Sequence, residues 1–136
     1  MSHSATKTET TIRVRVRYYE CDPMGIAHHA TYIGWLEMAR TELLREQGMA
    51  YRDLEARGIF CVMVRLNVHY RRPVRYDEEI EIHVKALPTA GVKIQHEYEV
   101  KCDDELLVTA ETTLACVDRE SKLVAIPEGL RIGLES

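Results

Sequence analysis

The chain has 136 residues, a formal net charge of −4, 46% hydrophobic and 29% charged residues, which describes one ordinary globular domain with enough core to stand without a disulfide or metal staple. The acidic balance gives no support for nucleic-acid binding as the main function, and no apolar run approaches the roughly 18 residues a membrane span needs. The polar stretch from Met1 to Thr11 lacks the apolar region of a secretory signal, so residues 1–10 are expected to form a flexible tail and residues 11–136 a single domain. Cys21, Cys61, Cys102 and Cys116 are scattered, with no CxxC pair, and are expected to be reduced thiols in a cytoplasmic protein.

Thr11 to Tyr18 alternates strictly: Ile12, Val14, Val16 and Tyr18 point one way, Arg13, Arg15 and Arg17 the other. That pattern predicts a half-buried strand with a wet basic face. Glu20 to Ala27 reads as a loop, and Asp22-Pro23-Met24-Gly25 fits a type I turn with Asp, Pro and Gly at its first, second and fourth positions. A helix is predicted from Ala30 to Gln47. Tyr32, Leu36, Ala39 and Leu43 form its apolar stripe, and Ile33, Trp35, Met38 and Leu44 widen it. Its first half is apolar nearly all round and is expected to be deeply buried. Gly48 stops it, and Tyr51 to Arg57 adds a turn or two of helix ending at Gly58.

After Gly58 the period becomes that of a strand. A long strand is predicted from Phe60 to Tyr70, bent by Pro73, and a second from Glu79 to Leu87, closed by Pro88-Thr89-Ala90-Gly91. Val92, Ile94, His96, Tyr98 and Val100 mark a third. Asp103-Asp104 turns the chain into a fourth, from Leu106 to Val117, and Asp118 to Lys122 is a turn. Short turns predict antiparallel neighbours, and one apolar half-helix needs the face of a curved sheet to bury it. The expected fold class is α+β, an antiparallel sheet wrapped around one long helix.

The chemistry concentrates at Asp22. An Asp in such a turn often does no more than cap it. This one stands a short loop before a helix whose first N–H groups lack intrahelical acceptors and suit developing negative charge. A carboxylate beside such donors can attack an acyl carbon or activate water. His28 and His29 precede the helix, and His29 could hydrogen-bond substrate or Asp22 through its ring or its backbone N–H. With His69, His83 and His96 they lack metal-site spacing, and no metal is expected. Cys21 has acidic neighbours that disfavour the thiolate, so it is read as packing. Glu37 and Arg40, at i and i+3, are expected to form a buried or interfacial ion pair. Arg71, Arg72 and Arg75 around Pro73, and the Arg13-Arg15-Arg17 stripe, read either as solvated sheet edges or as phosphate recognition.

Tyr18-Tyr19-Glu20-Cys21-Asp22-Pro23-Met24-Gly25-Ile26-Ala27-His28-His29-Ala30-Thr31-Tyr32, followed by Trp35-Leu36-Glu37-Met38-Ala39-Arg40, strongly resembles the hotdog-fold acyl-CoA thioesterases, in particular the 4-hydroxybenzoyl-CoA and Tol-Pal-associated families. Val68-His69-Tyr70-x-x-Pro73-Val74-x-x-Asp77 and Cys116-Val117-Asp118 extend the resemblance over nearly the whole domain. It implies a cytoplasmic thioester hydrolase working as a homodimer or homotetramer with interfacial sites, and no cofactor, since coenzyme A is part of the substrate. It places the catalytic aspartate on Asp22 and the carbonyl-polarising N–H on His29. Gly25, His28, Tyr32, Arg71, Arg72 and Arg75 are the candidate substrate contacts. Cys21-Asp22-Pro23 is like the hydroxybenzoyl type and the helix with Glu37, Ala39 and Arg40 like the other, which leaves the acyl group open. A thioesterase for acyl-carrier-protein-bound chains and a non-catalytic acyl-CoA-binding protein are the alternative readings.

Overall fold

The computed structural model describes residues 7–89 and 91–130. Five strands, β1 (Glu9–Arg15), β2 (Phe60–Tyr70), β3 (Glu79–Ala86), β4 (Ile94–Cys102) and β5 (Glu105–Val117), accompany helices α1 (His29–Glu46) and α2 (Tyr51–Ala56), with single 3-10 turns at Tyr18–Glu20 and Glu128–Leu130. The strands form one sheet in the order β1-β3-β4-β5-β2, every pair antiparallel. The apolar side of α1 packs on this sheet, giving the α+β hotdog arrangement of one long helix wrapped by an antiparallel sheet.

The chain orders earlier than its composition suggests. β1 starts at Glu9, and the residues before it are tied to the end of α1: Lys7 pairs with Glu46 at 3.4 Å, and Gln47 donates to the Lys7 carbonyl at 2.8 Å. Residues 7–10 are therefore not a loose tail; residues 1–6 lie outside the described ones. β1 also ends sooner than expected. Val14 and Val16 are buried, but Tyr18 enters a 3-10 turn and is 80% exposed, because that turn ends the period of two that would have aimed it inward.

Helix ends follow their local chemistry. After α1, Gly48 takes φ 87°, and the N–H groups of Gly48 and Met49 return to the carbonyls of Arg45 and Leu44, a Schellman stop that needs a left-handed residue. Between β4 and β5, Asp103 and Asp104 both take positive φ, 51° and 67°, as a tight hairpin with the right-handed strand twist requires.

One topological expectation fails. β2 does not pair with β3; it pairs with β5 at the far edge. The segment from Arg71 to Glu78 is a crossover, not a hairpin. It crosses the end of the sheet, where Ala27 donates to the Val74 carbonyl, Tyr76 to Gly25, and Asp77 to Val16. Arg71 and Arg72 at its start still donate to Leu107 of β5, and from Val74 to Tyr76 its backbone pairs with the loop before α1. β2 is thus an edge strand, with a bulge where the register slips between Met63 and Arg65.

On α1, Tyr32, Trp35, Leu36, Ala39, Leu43 and Leu44 are buried, while Ile33 and Met38 remain exposed in the single chain. The first half of the helix is therefore buried on one side only. Glu37 is exposed and does not pair with Arg40. Arg40 is 7% exposed and turns between helix and sheet. Its Nε donates to the Tyr51 hydroxyl at 3.2 Å and its NH1 to the Tyr98 hydroxyl at 3.1 Å. Burial pushes the Tyr51 phenol up, against the pull of Arg40, so it acts as a neutral acceptor. Satisfying the guanidinium with phenols avoids dehydrating the Glu37 carboxylate as well.

His96 lies on the inner row of β4, 7% exposed, and its Nδ1 has no hydrogen-bond partner among the described residues. Burial, then the nearby Arg40 charge, pushes its pKa from 6.5 down to about 4. Unfolding frees it to bind a proton between those values, so stability rises with pH across that window and falls on acidification. Chemical denaturation should show about 3 kcal/mol lost through this group between pH 7 and pH 4. His96→Gln, which cannot titrate, should flatten that part of the acid limb relative to the unsubstituted protein.

Candidate active site

The turn at Asp22 forms as its residues dictate. The Gly25 N–H donates to the Asp22 carbonyl at 2.9 Å, with Gly25 at φ 78°. The Asp22 Oδ1 accepts the N–H of Met24 at 2.8 Å and of Ile26 at 3.2 Å. Capping therefore occupies one carboxylate oxygen. Oδ2 has no hydrogen bond among the described residues. Cys21 bridges to Ala27, which folds the loop on itself and carries Asp22 back toward the start of the helix.

α1 begins without a side-chain cap. His28 is the N-cap residue, with extended backbone at φ −62° and ψ 147°, and its own N–H is taken by the Glu20 carbonyl at 2.9 Å. The Thr31 N–H returns to the His28 carbonyl at 3.0 Å, while the N–H groups of His29 and Ala30 have no acceptor among the described residues. These are the orphan donors of a helix start, at the positive end of its dipole. The His29 ring is exposed and lies 4.9 Å from Tyr70, centroid to centroid.

Glu20 holds the turn and the helix start together. It is 9% exposed. Its Oε1 accepts the Arg17 N–H at 2.7 Å, and its Oε2 accepts the Trp35 indole N–H at 3.2 Å and pairs with the Arg17 guanidinium at 3.5 Å. Its carbonyl takes the Thr31 hydroxyl at 3.0 Å besides the His28 N–H. Sequence reasoning passed over this residue. The available signal was a lone carboxylate two positions before Asp22, where the strand alternation breaks.

The other candidates divide. Gly25 and His28 belong to the turn and the helix start. Tyr32 does not face outward: it is 2% exposed, its hydroxyl accepts the Val74 N–H at 3.2 Å, and it packs edge-on against Tyr70 and Trp35. Its role here is to support the wall behind His29. Arg75 is brought to the turn by its bridge to Ile26 and has an exposed side chain. Arg71 and Arg72 are tied through their N–H groups to the Leu107 carbonyl, and Arg72 pairs with Glu105 at 2.8 Å. Arg13, Arg15 and Arg17 form ion pairs with Glu81, Asp77 and Glu20, as a solvated sheet face does. Burial, then Glu20 and Asp22, pushes the Cys21 thiol up, away from a nucleophilic thiolate. No cluster of three metal-ligating side chains occurs among the described residues.

Residues 16–134 match the family model of the thioesterase-like superfamily. The chain is 32% identical over 119 residues to the acyl-CoA thioester hydrolase YbgC of Escherichia coli O6:H1, covering 86% of this chain and 89% of that protein. Among solved structures, a hypothetical protein from Aquifex aeolicus superposes with TM-score 0.84 at 31% identity, over 90% of this chain and 99% of that one. The DHNA-CoA thioesterase from Staphylococcus aureus superposes with TM-score 0.82 at 28% identity, over 86% and 80%.

Glu20→Ala should leave the Trp35 indole N–H buried without an acceptor and cost about 2–3 kcal/mol in denaturant unfolding. Glu20→Gln, which keeps an acceptor oxygen, should cost clearly less.

Proposed function

The chain belongs to the thioesterase-like superfamily, and from that premise we propose that it hydrolyses an acyl-CoA thioester to the free acid and coenzyme A, with Asp22 as nucleophile or general base. The observation that carries this reading is the pairing of a free Asp22 Oδ2 with a helix start whose His29 and Ala30 N–H groups have no acceptor. The thioester carbonyl oxygen would face the His29 N–H, where charge developing on it is stabilised. Oδ2 would either attack the carbonyl carbon, giving a mixed anhydride that water then opens, or take a proton from the attacking water. Either way the acyl C–S bond breaks, the water oxygen joins the acyl group, and the departing thiolate takes up a proton. Gly25 and His28 line the approach. The exposed Arg75 beside the turn is the best placed of the three arginines to meet the coenzyme phosphates, with Arg71 and Arg72 farther along the same segment. No helix among the described residues is long and apolar enough to cross a membrane, and four free cysteines fit a cytoplasmic setting.

A second copy of the chain completes the site in this proposal. Among the described residues β2 has a strand neighbour on one side alone and exposes Val62, Met63 and Val64, with Ile33 and Met38 of α1 also uncovered. A long apolar edge strand left open invites pairing with another strand, and a homodimer or homotetramer would cover it.

Asp22→Asn keeps an oxygen for the Met24 and Ile26 N–H groups but loses the charge. It should therefore fold normally and lose kcat by about 100-fold or more on acyl-CoA substrates. Near-normal turnover would exclude this role for Asp22. Val64→Arg, at a bulge 64% exposed, should shift the sedimentation coefficient from oligomer toward monomer.

A further inference from the structure

The helix face that begins at the candidate oxyanion site ends at a buried cation. His29, Ile33, Glu37 and Arg40 follow one another at helical spacing on one side of α1. β2 runs back along that side. Its last residue, Tyr70, touches the His29 ring, and Cys61 and Met63 near its start join Ile33, Glu37, Arg40 and Tyr51 around a groove of about 320 Å³. The start of α1 at His29 and the groove thus lie along the same side of the helix, facing β2.

The inner end of this line is chemically unusual. A guanidinium carries five N–H donors, and among the described residues two of those on Arg40 reach protein acceptors, both phenol hydroxyls. Tyr98 in turn bonds the Thr112 hydroxyl at 2.7 Å. No carboxylate lies within ion-pair distance of Arg40 among the described residues. Behind Arg40 a cavity of about 20 Å³, also bordered by Tyr51, Cys61 and His96, has room for one water, beside the unpartnered His96 Nδ1. An apolar side chain could fill the place of Arg40 without the dehydration cost of a buried cation. What the guanidinium adds is a set of donors, unfilled among the described residues, at the end of a groove that Ile33, Met63 and Leu114 share with the carboxylates of Glu37 and Glu55.

We infer that this groove receives the acyl chain and that Arg40 selects acyl groups bearing an oxygen acceptor at their far end; the inference rests on the thioester hydrolysis proposed above. From His29 to Arg40 the helix rises about 16 Å, at about 1.5 Å per residue, and helical side chains lean back toward the N-terminus. A medium-length chain therefore spans from a carbonyl at His29 to the guanidinium. Glu37 and Glu55 also line the groove and are exposed, so a hydroxyl or keto oxygen meets less repulsion there than a carboxylate does.

The test measures kcat/KM of the full chain on medium-length saturated acyl-CoAs and on their ω-hydroxy and ω-carboxy counterparts of equal length. At least one oxygenated series should be preferred by about tenfold or more, since a site with unfilled donors rejects the analogue that cannot pair with them. In Arg40→Lys, which keeps the charge but loses the planar fork, the preference should fall to within about twofold. Tyr51→Phe, which removes the hydroxyl that fixes the Arg40 Nε and so lets the guanidinium turn out of its present orientation, should weaken the preference as well and decides the matter if Arg40→Lys does not fold. Equal use of matched substrates by the unsubstituted protein, or a preference unchanged in the variants, overturns the inference while leaving thioester hydrolysis standing. Failure to release thiol from any acyl-CoA overturns the proposed function itself.

Discussion

The buried carboxylate of Glu20 is the constraint on which the rest of the site depends. The Asp22 turn and the start of α1 are separate local structures, each stable for its own reasons. Nothing in a type I turn or a helix N-terminus sets their mutual position. Glu20 does so with three groups at once: one oxygen on the Arg17 backbone, the other on the Trp35 indole, and its carbonyl on His28 and Thr31. Charge-assisted hydrogen bonds of this kind are short and directional. Trp35 is itself buried in the core, so the loop is referenced to the sheet and helix packing and not to solvent-exposed neighbours. The candidate nucleophile therefore inherits the rigidity of the core while remaining in a loop.

The segment after β2 supplies the opposite wall. Because it crosses the sheet end instead of forming a hairpin, Val74 and Tyr76 are free to pair with Ala27 and Gly25. The same crossover sends β2 to the far edge, where its Tyr70 end meets His29. One topological choice thus closes the Asp22 loop, brings Arg75 beside it and puts β2 at the edge of the sheet.

Much of this was legible in the sequence, and the failures have physical causes. Element positions followed period and punctuation: α1, α2 and the strands lie within a few residues of where Gly48, Gly58, Pro73 and Asp103-Asp104 put them. Pairing order did not follow, because short connections between strands are only a tendency, and Val74 and Tyr76 find their hydrogen bonds in a loop distant in sequence. Tyr18 was misaimed because alternation does not announce the 3-10 turn that ends it. Arg40 was assigned to Glu37 by helical spacing, yet spacing measures proximity along one helix surface and says nothing of two phenols from α2 and β4. At Asp22 the cap is what the structure displays, with one carboxylate oxygen on the Met24 and Ile26 N–H groups; the turn uses one oxygen of two, which is why a capping role and a chemical one can be read from the same residue.

The exposure of Ile33, Met38, Met63 and Val64 follows from the same arrangement. A helix can bury a full apolar stripe only if something covers both of its flanks, and a five-stranded sheet curving around α1 covers one. Ile33 and Met63 border the groove that reaches Arg40, whereas Met38 lies on the side of the helix nearer Ile12 and Arg13. Closing the groove's flank within a single chain would require another strand beyond β2 and would seal the groove from solvent. Leaving it open exposes apolar surface that water tolerates poorly; in the proposed reaction the same opening would admit the acyl group. A second copy laid against β2 resolves both demands, since it removes the apolar edge from water while supplying a wall that side chains from two chains can shape. In such a site the chemistry at Asp22 and the length of chain accepted before Arg40 are set by different parts of the fold, so one can vary while the other is kept.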